Sequence, residues 1–265
     1  MTVAKWQATG NAYLIIPEAT LGFAVTGAGA TLLCDPRQGI GADGVLVLSA
    51  SAVSDMRMLI LNPDGSESQA CGNGTRMVAR YLTGLAPGRV TIETTAGILD
   101  CVVHADSSVT ARMADAALTS GAYQPTATPF PYPHRFVSVG NPHVTIRVDD
   151  PDAFPLATEG ASLEHHPWLP ERANIEVWQA ESGRVRMRVW ERGVGETDAC
   201  GTGACAVAVA AVLDGAAISP VEVMLPGGVV TVDVTADLSI RITGPAEPIA
   251  QFTLDSAFID RLRTL

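Results

Sequence analysis

The sequence predicts an α/β (α+β) fold of two pseudo-symmetric domains, and three observations predict it. The phrase Ala-Cys-Gly-x-Gly occurs twice, in "QACGNGTRMVARYL" (69–82) and in "DACGTGACAVAVAA" (198–211), which sets Cys71 and Cys200 129 positions apart (200 − 71). Strand signals dominate the chain, and the two best helical signals begin directly after those cysteines. Residues 120–136, "SGAYQPTATPFPYPHRF", hold four prolines and no clear period, the composition of a linker. The linker cuts the chain into near-equal halves, 1–124 and 125–265, each with one copy of the phrase. An internal duplication is therefore expected, as two α/β units facing each other across a cleft. A length of 265 residues accommodates two units of roughly 130 residues each.

Taken in order, "MRMLILN" (56–62) and "RVTIETT" (89–95) read as strands of the first half, on either side of the helix that follows Cys71. In the second half "HVTIRVDD" (143–150) and "RVRMRVW" (184–190) read likewise. The latter puts its three arginines on one face and Val185, Met187 and Val189 on the other. The helix after Cys200 comes next. "VVTVDVTADLSIRITG" (229–244) then reads as an antiparallel hairpin that turns at "VTADLS".

Composition narrows the function. An apolar content of 47% suits a buried core, while a net charge of −11 argues against nucleic acid as a partner, since phosphates would be repelled. No apolar run approaches the ~18 residues of a membrane span. The start "MTVAKWQATG" lacks the basic-then-apolar pattern of a secretory signal, so a cytoplasmic location is expected. The five cysteines, Cys34, Cys71, Cys101, Cys200 and Cys205, are scattered and odd in number, which fits thiols rather than a disulfide framework. Their spacing, and that of His165 and His166, does not suit a zinc site, so no metal is expected. The seventeen basic residues include a single lysine, Lys5, at the extreme N-terminus. A pyridoxal phosphate enzyme needs a lysine for its Schiff base, so no such cofactor is expected.

The repeated phrase carries the chemistry. Gly-x-Gly ahead of a helix lets the backbone turn tightly and aims free N–H groups outward, which with the helix dipole cradle a carboxylate or phosphate. A cysteine at that place gains from the same field, which favours the thiolate. A lone Cys-Gly-x-Gly is better read as a buried core cysteine, but one copy per half reverses that preference. Cys34, Cys101 and Cys205 lack the context and read as core fillers. Two thiols flanking one bound carboxylate suit inversion of an amino acid at its α-carbon: one thiolate removes the proton and the other thiol delivers one to the opposite face. The helix N-termini stabilise the charge that builds on the carboxylate, in a site that must be closed and dry. His143, in "VGNPHVTI", read alone, suits an ordinary core histidine, and Glu191-Arg192 a surface ion pair.

The chain resembles the diaminopimelate epimerase family over nearly its whole length. The resemblance rests on "TGNAYLII", "RQGIGADGVL", "LNPDGSESQACGNGTR", "VGNPHV", "ERANIEV", "WERGVGETDACGTGACA", "LPGG" and "ITGPA", in that order. It implies two similar domains, each a strongly curved, mainly antiparallel sheet wrapped around a central helix. It further implies a cofactor-independent isomerase of lysine and cell-wall biosynthesis that interconverts LL- and meso-diaminopimelate. Cys71 and Cys200 would be the acid and base, with His143 near the first and Glu191 near the second. Asn11, Asn62, Asn141, Asn174, Glu191 and Arg192 would contact the substrate, and the backbone at Gly72, Asn73, Gly201 and Thr202 would bind its carboxylate. A bidentate guanidinium at Arg192, with Asn62 and Asn174 beside it, would hold the distal carboxylate. The expected partner is a small-molecule amino acid, and a homodimer is among the expectations.

Two positions depart from the family pattern: Ala12 stands where an aspartate is usual, and Gly44 where glutamine is common. Both bear on substrate identity. A racemase of another amino acid would share the cysteines with a different pocket. A thiol redox sensor would need neither Asn62, Asn174 nor Arg192, and a non-catalytic carboxylate-binding module would need no thiol. The tail "FTLDSAFIDRLRTL" matches no part of the family pattern.

Overall fold

The duplication is written into the strand pairing. A computed structural model describes residues 2–68, 71–118 and 123–265. Among them the chain divides into one unit of residues 1–111 with 245–265 and a second of residues 112–244.

The first unit contains β1 (Thr2–Ala8), β2 (Asn11–Pro17), α1 (Gly27–Cys34), β3 (Val45–Ser49), β4 (Met56–Leu61), β5 (Glu67–Ser68), α2 (Gly72–Leu82), β6 (Gly88–Thr94), β7 (Gly97–Val103) and β8 (Val109–Arg112). The pairing runs β1–β2–β3–β4–β6–β7–β8, antiparallel except for β2–β3 and β4–β6, with β5 against the end of β4.

The second unit contains β9 (Arg135–Ser138), β10 (Pro142–Arg147), α3 (Leu156–Glu164), β11 (Asn174–Glu181), β12 (Arg184–Glu191), β13 (Gly195–Thr197), α4 (Gly201–Leu213), β14 (Val221–Leu225), β15 (Gly228–Val234) and β16 (Ile240–Gly244). Its order β9–β10–β11–β12–β14–β15–β16 repeats the first, with β10–β11 and β12–β14 as the parallel pairs and β13 against β12. Each parallel step is bridged by a segment long enough for a crossover, which a tight turn could not supply.

Each sheet curls round a helix because of what that helix is made of. α4, "GTGACAVAVAAVL", is apolar on every side, and a helix without a polar face has to be buried all round. Its small alanines admit strands on several sides, and it packs against β9, β10, β11, β12, β14, β15 and β16, from one edge of the sheet to the other. That contact set requires strong curvature. α2 is buried along Gly72–Ala79 and packs against β1, β2, β6 and β7 in the same manner. The outer sheet faces are covered by α1 in the first unit and α3 in the second. On β12 the burial alternates as expected, with Val185, Met187 and Val189 buried.

The boundary differs from a single cut between 124 and 125. Residues 245–265 return to the first unit: β17 (Glu247–Thr253) pairs antiparallel with β1, and α5 (Ser256–Arg263) packs on α1. Leu254, just ahead of α5, and Phe258 and Leu262, four residues apart on one face of that helix, complete the outer core, which gives the unassigned tail its purpose. Of the proline-rich stretch, residues 120–122 lie outside the described residues. The remainder is a strap, with Tyr123, Phe130 and Tyr132 packed into an aromatic cluster of the second unit around His134, Phe136 and Trp168. Among the described residues no helix is long and apolar enough to cross a membrane.

Candidate active site

Both cysteines are helix N-caps. Cys71 is extended (φ −147°, ψ 103°) and its Sγ accepts the Gly74 N–H at 3.2 Å; Cys200 adopts the same conformation (φ −129°, ψ 111°) at the start of α4. The glycine three residues on is needed for room. A Cβ at Gly74 would lie 3.0 Å from Leu46 Cδ2 and 3.3 Å from Cys71 Sγ, and one at Gly203 would lie 2.8 Å from Glu176 Oε1. The N–H groups of Gly72 and Asn73, and of Gly201 and Thr202, belong to first turns, where backbone donors have no intrahelical acceptor. None of the five cysteines is disulfide-bonded.

In the first unit, Asn73 anchors a polar chain. Its Oδ1 accepts from Arg76 Nη2 at 2.7 Å and Thr9 Oγ1 at 3.3 Å, and its Nδ2 reaches Asn11 Oδ1 at 3.5 Å. Arg76 is fully buried and also donates to the Gly72 and Pro245 carbonyls, so a cation sits inside the first turn of α2. Asp43 Oδ2 takes the Ala12 N–H at 2.7 Å and Asn11 Nδ2 at 3.2 Å. Asn62 stands apart from this chain: it closes the turn after β4 and donates to Ser66 Oγ at 3.0 Å.

The second unit gathers most of the expected residues. His143 is fully buried on β10, with Nδ1 2.7 Å from Glu176 Oε1 and Nε2 3.0 Å from Asn141 Oδ1. Asn141 Nδ2 donates to Thr202 Oγ1 at 3.4 Å, and Thr202 Oγ1 lies 3.5 Å from Cys200 Sγ. Glu191, at the end of β12, accepts from Thr197 Oγ1 at 2.5 Å. Burial raises its carboxyl above the usual carboxylate range, against the opposing effects of the Thr197 and Cys200 hydrogen bonds and of His143. Burial, then the Glu191 and Glu176 carboxylates, push the Cys200 thiol well above its ordinary value. That outweighs the helix field, so Cys200 is a protonated thiol at neutral pH.

Asn174 and Arg192 meet through the Arg192 backbone rather than through their two side chains. Asn174 is buried, but its Oδ1 takes the Arg192 backbone N–H at 2.8 Å, and its Nδ2 faces the Pro142 carbonyl and His143 Nδ1, each at 3.4 Å. The Arg192 side chain is exposed and donates to the Glu171 carbonyl at 2.9 Å. The reason is the turn that follows β12, where Glu164 of α3 accepts from the Gly193 N–H at 3.0 Å and Trp190 Nε1 at 2.9 Å and so holds the loop outward.

Three buried charged residues were not anticipated: Arg76, Glu164 and Glu176. The signal for Glu176 was present, because "NIEVW" places one carboxylate inside a run otherwise suited to a strand buried on both faces.

A repeated unit, with a cysteine capping each central helix, defines a fold class represented among solved structures. A phenazine biosynthesis protein of the PhzF family from Bacillus anthracis superposes with a TM-score of 0.71 at 20% identity, covering 96% of this chain and 99% of that one. A hydroxyproline epimerase from Agrobacterium vitis gives 0.69 at 19%, covering 97% and 93%. Within that class, the sequence profile described as diaminopimelate epimerase matches residues 3–119 and again 135–249. The diaminopimelate epimerase of Rhizorhabdus wittichii is 42% identical over 254 residues, 91% of each chain. The chain belongs to the diaminopimelate epimerase family, a family of isomerases.

Proposed function

We propose that this chain interconverts LL- and meso-diaminopimelate without a cofactor, moving the α-proton with the thiols of Cys71 and Cys200. The observation that carries the reading is that each copy of the fold starts its central helix directly after its cysteine. The substrate carboxylate takes the free N–H groups at Gly72, Asn73, Gly201 and Thr202, which stabilise the charge that builds there as the proton leaves. Cys200, held protonated by burial and by its two carboxylate neighbours, is the proton donor in the resting state. In the reverse direction its proton passes to Glu191, whose raised carboxyl is suited to receive it. His143, joined to Cys200 through Asn141 and Thr202, is a second group of the proton-transfer apparatus.

The distal end of diaminopimelate carries a second ammonium and carboxylate, and selectivity resides there. The exposed Arg192 guanidinium exchanges its bond to the Glu171 carbonyl for a bidentate grip on that carboxylate, and Asn62 and Asn174 are the amides expected to assist it, with Asn11 and Asn141 as further substrate contacts. The reading includes a cytoplasmic location and a homodimer, which sedimentation would reveal.

The test compares α-proton exchange in heavy water for diaminopimelate, lysine, glutamate and histidine, without added cofactor. Diaminopimelate should exceed the others by about 10²-fold or more. Cys71→Ala and Cys200→Ala should each lose at least about 10²-fold, while Cys34→Ala keeps its rate. Preference for one of the other three amino acids would overturn this substrate, and full activity in either of the two catalytic variants would overturn the mechanism.

A further inference from the structure

We infer that Glu176 is a positioning residue of the proton-transfer apparatus: it binds the Nδ1 proton of His143 and leaves Nε2 as the nitrogen that exchanges protons. The inference rests on the proposed function in so far as it takes His143 to work in proton transfer.

The duplication supplies an internal control. Thr145 pairs with Glu176 across β10–β11 as Ile15 pairs with Leu46 across β2–β3, and each of Glu176 and Leu46 abuts the third residue of a central helix, Gly203 and Gly74. Both are fully buried. Where the first unit has an apolar side chain, the second has a carboxylate. Leucine meets the packing demand of that position, so a buried charge there calls for another reason. Stability does not supply one, because exchanging buried ionic groups for apolar ones of similar volume is commonly neutral or favourable. Glu176 Oε2 also has no hydrogen-bond partner among the described residues, a cost that a purely structural role would not carry.

The geometry supplies the reason. An ionised carboxylate only accepts hydrogen bonds, so the 2.7 Å contact of Glu176 Oε1 requires a proton on His143 Nδ1. The other nitrogen faces the Asn141 amide at 3.0 Å, and that amide reaches Thr202 Oγ1, which touches Cys200 Sγ. Asn141 can serve both states of Nε2: its oxygen faces a protonated nitrogen, and the turned-over amide offers its N–H to a bare one. Glu176 thus anchors one end of a hydrogen-bonded row that ends at the thiol. The missing Cβ of Gly203 leaves the space for Oε1, and the start of α4 faces the carboxylate with positive potential. The charged groups turned toward His143 are Glu176 from β11 and Glu191 from β12, while Cys200, at the start of α4, is reached through Asn141 and Thr202.

The experiment is ¹⁵N NMR of histidine-labelled enzyme, with His143→Gln assigning one signal among the five histidines, together with steady-state kinetics on diaminopimelate. In the wild type, His143 should carry its proton on Nδ1. Glu176→Leu, which copies the twin position, should fold, lose the Nδ1–H signature and lose about 10–100-fold in kcat with little change in KM. Glu176→Gln keeps an accepting oxygen and should recover part of both. A leucine variant with the wild-type signature or the wild-type kcat overturns the inference. Should that variant fail to fold, the wild type decides alone, because Nδ1 found unprotonated overturns it outright. Absence of diaminopimelate turnover in the wild type would instead sink the proposed function, while the NMR signature still reports whether Glu176 holds His143.

Discussion

At the scale of single residues, Gly44 and Tyr13 form a matched pair. A Cβ at Gly44 would stand 2.4 Å from Tyr13 Cε1 and 2.8 Å from the Leu61 carbonyl oxygen. The departure from glutamine at this position was visible in the sequence, but its cause was not, because it lies in a ring thirty-one positions away (44 − 13). Gly44→Ala should cost about 1–3 kcal/mol in denaturant unfolding, as overpacking does. Tyr13→Ala on that background should restore only part, since the Leu61 carbonyl remains. Full restoration in the double variant would show that the ring alone sets the limit. Ala12 donates its backbone N–H to Asp43 Oδ2, a bond open to any residue there but proline, so the alanine itself has no structural explanation.

Among the elements, α2 and α4 show how one local rule meets two environments. Both have a cysteine N-cap and a glycine at the third helical position, and both glycines have ordinary helical backbone. Propensity alone therefore predicts that alanine there would gain roughly 1 kcal/mol. The surroundings reverse that gain unequally. At Gly74 the nearest obstacle, 3.0 Å away, is the end of a leucine side chain, which can turn aside. At Gly203 the obstacle at 2.8 Å is a carboxylate oxygen already bonded to His143, with Cys200 Cβ and Sγ at 3.3 and 3.4 Å behind it. Gly203→Ala should destabilise by roughly 1–3 kcal/mol and reduce kcat, and Gly74→Ala should do less of both. Thermal unfolding with steady-state kinetics checks the order, and equal effects would contradict it.

For the whole molecule, buried thiols set the response to alkali. Burial pushes Cys34 up to about 11 and Cys101 up to about 12 from an ordinary 9.0, and it moves Cys200 in the same direction. Above pH 9 the unfolded chain releases these protons while the native fold retains them, so the native state binds more protons and stability falls as pH rises. The contribution is complete below the ordinary thiol range and is lost as pH passes the raised values. The melting temperature should therefore drop steeply from pH 9 to 11, and Cys101→Val should flatten the slope. An unchanged slope would mean that other groups govern alkaline unfolding.

The sequence by itself determined the elements whose causes are local. Gly-x-Gly ahead of a small-residue run places a helix start after each cysteine, and alternating strands present one face to a core. The duplication was legible for the same reason, since a repeated phrase needs no partner to be seen. Tertiary structure alone decided which distant segments meet. It placed two parallel pairs in each sheet, returned β17 to β1, packed residues 123–134 of the proline-rich stretch as a strap, set Arg192 outward on the Glu164-held turn, and put Glu176 against His143 where the twin unit has Leu46. These are pairings across long stretches of chain, selected by the surface that each buries. Local periodicity carries no record of a partner, so only the folded chain could decide them.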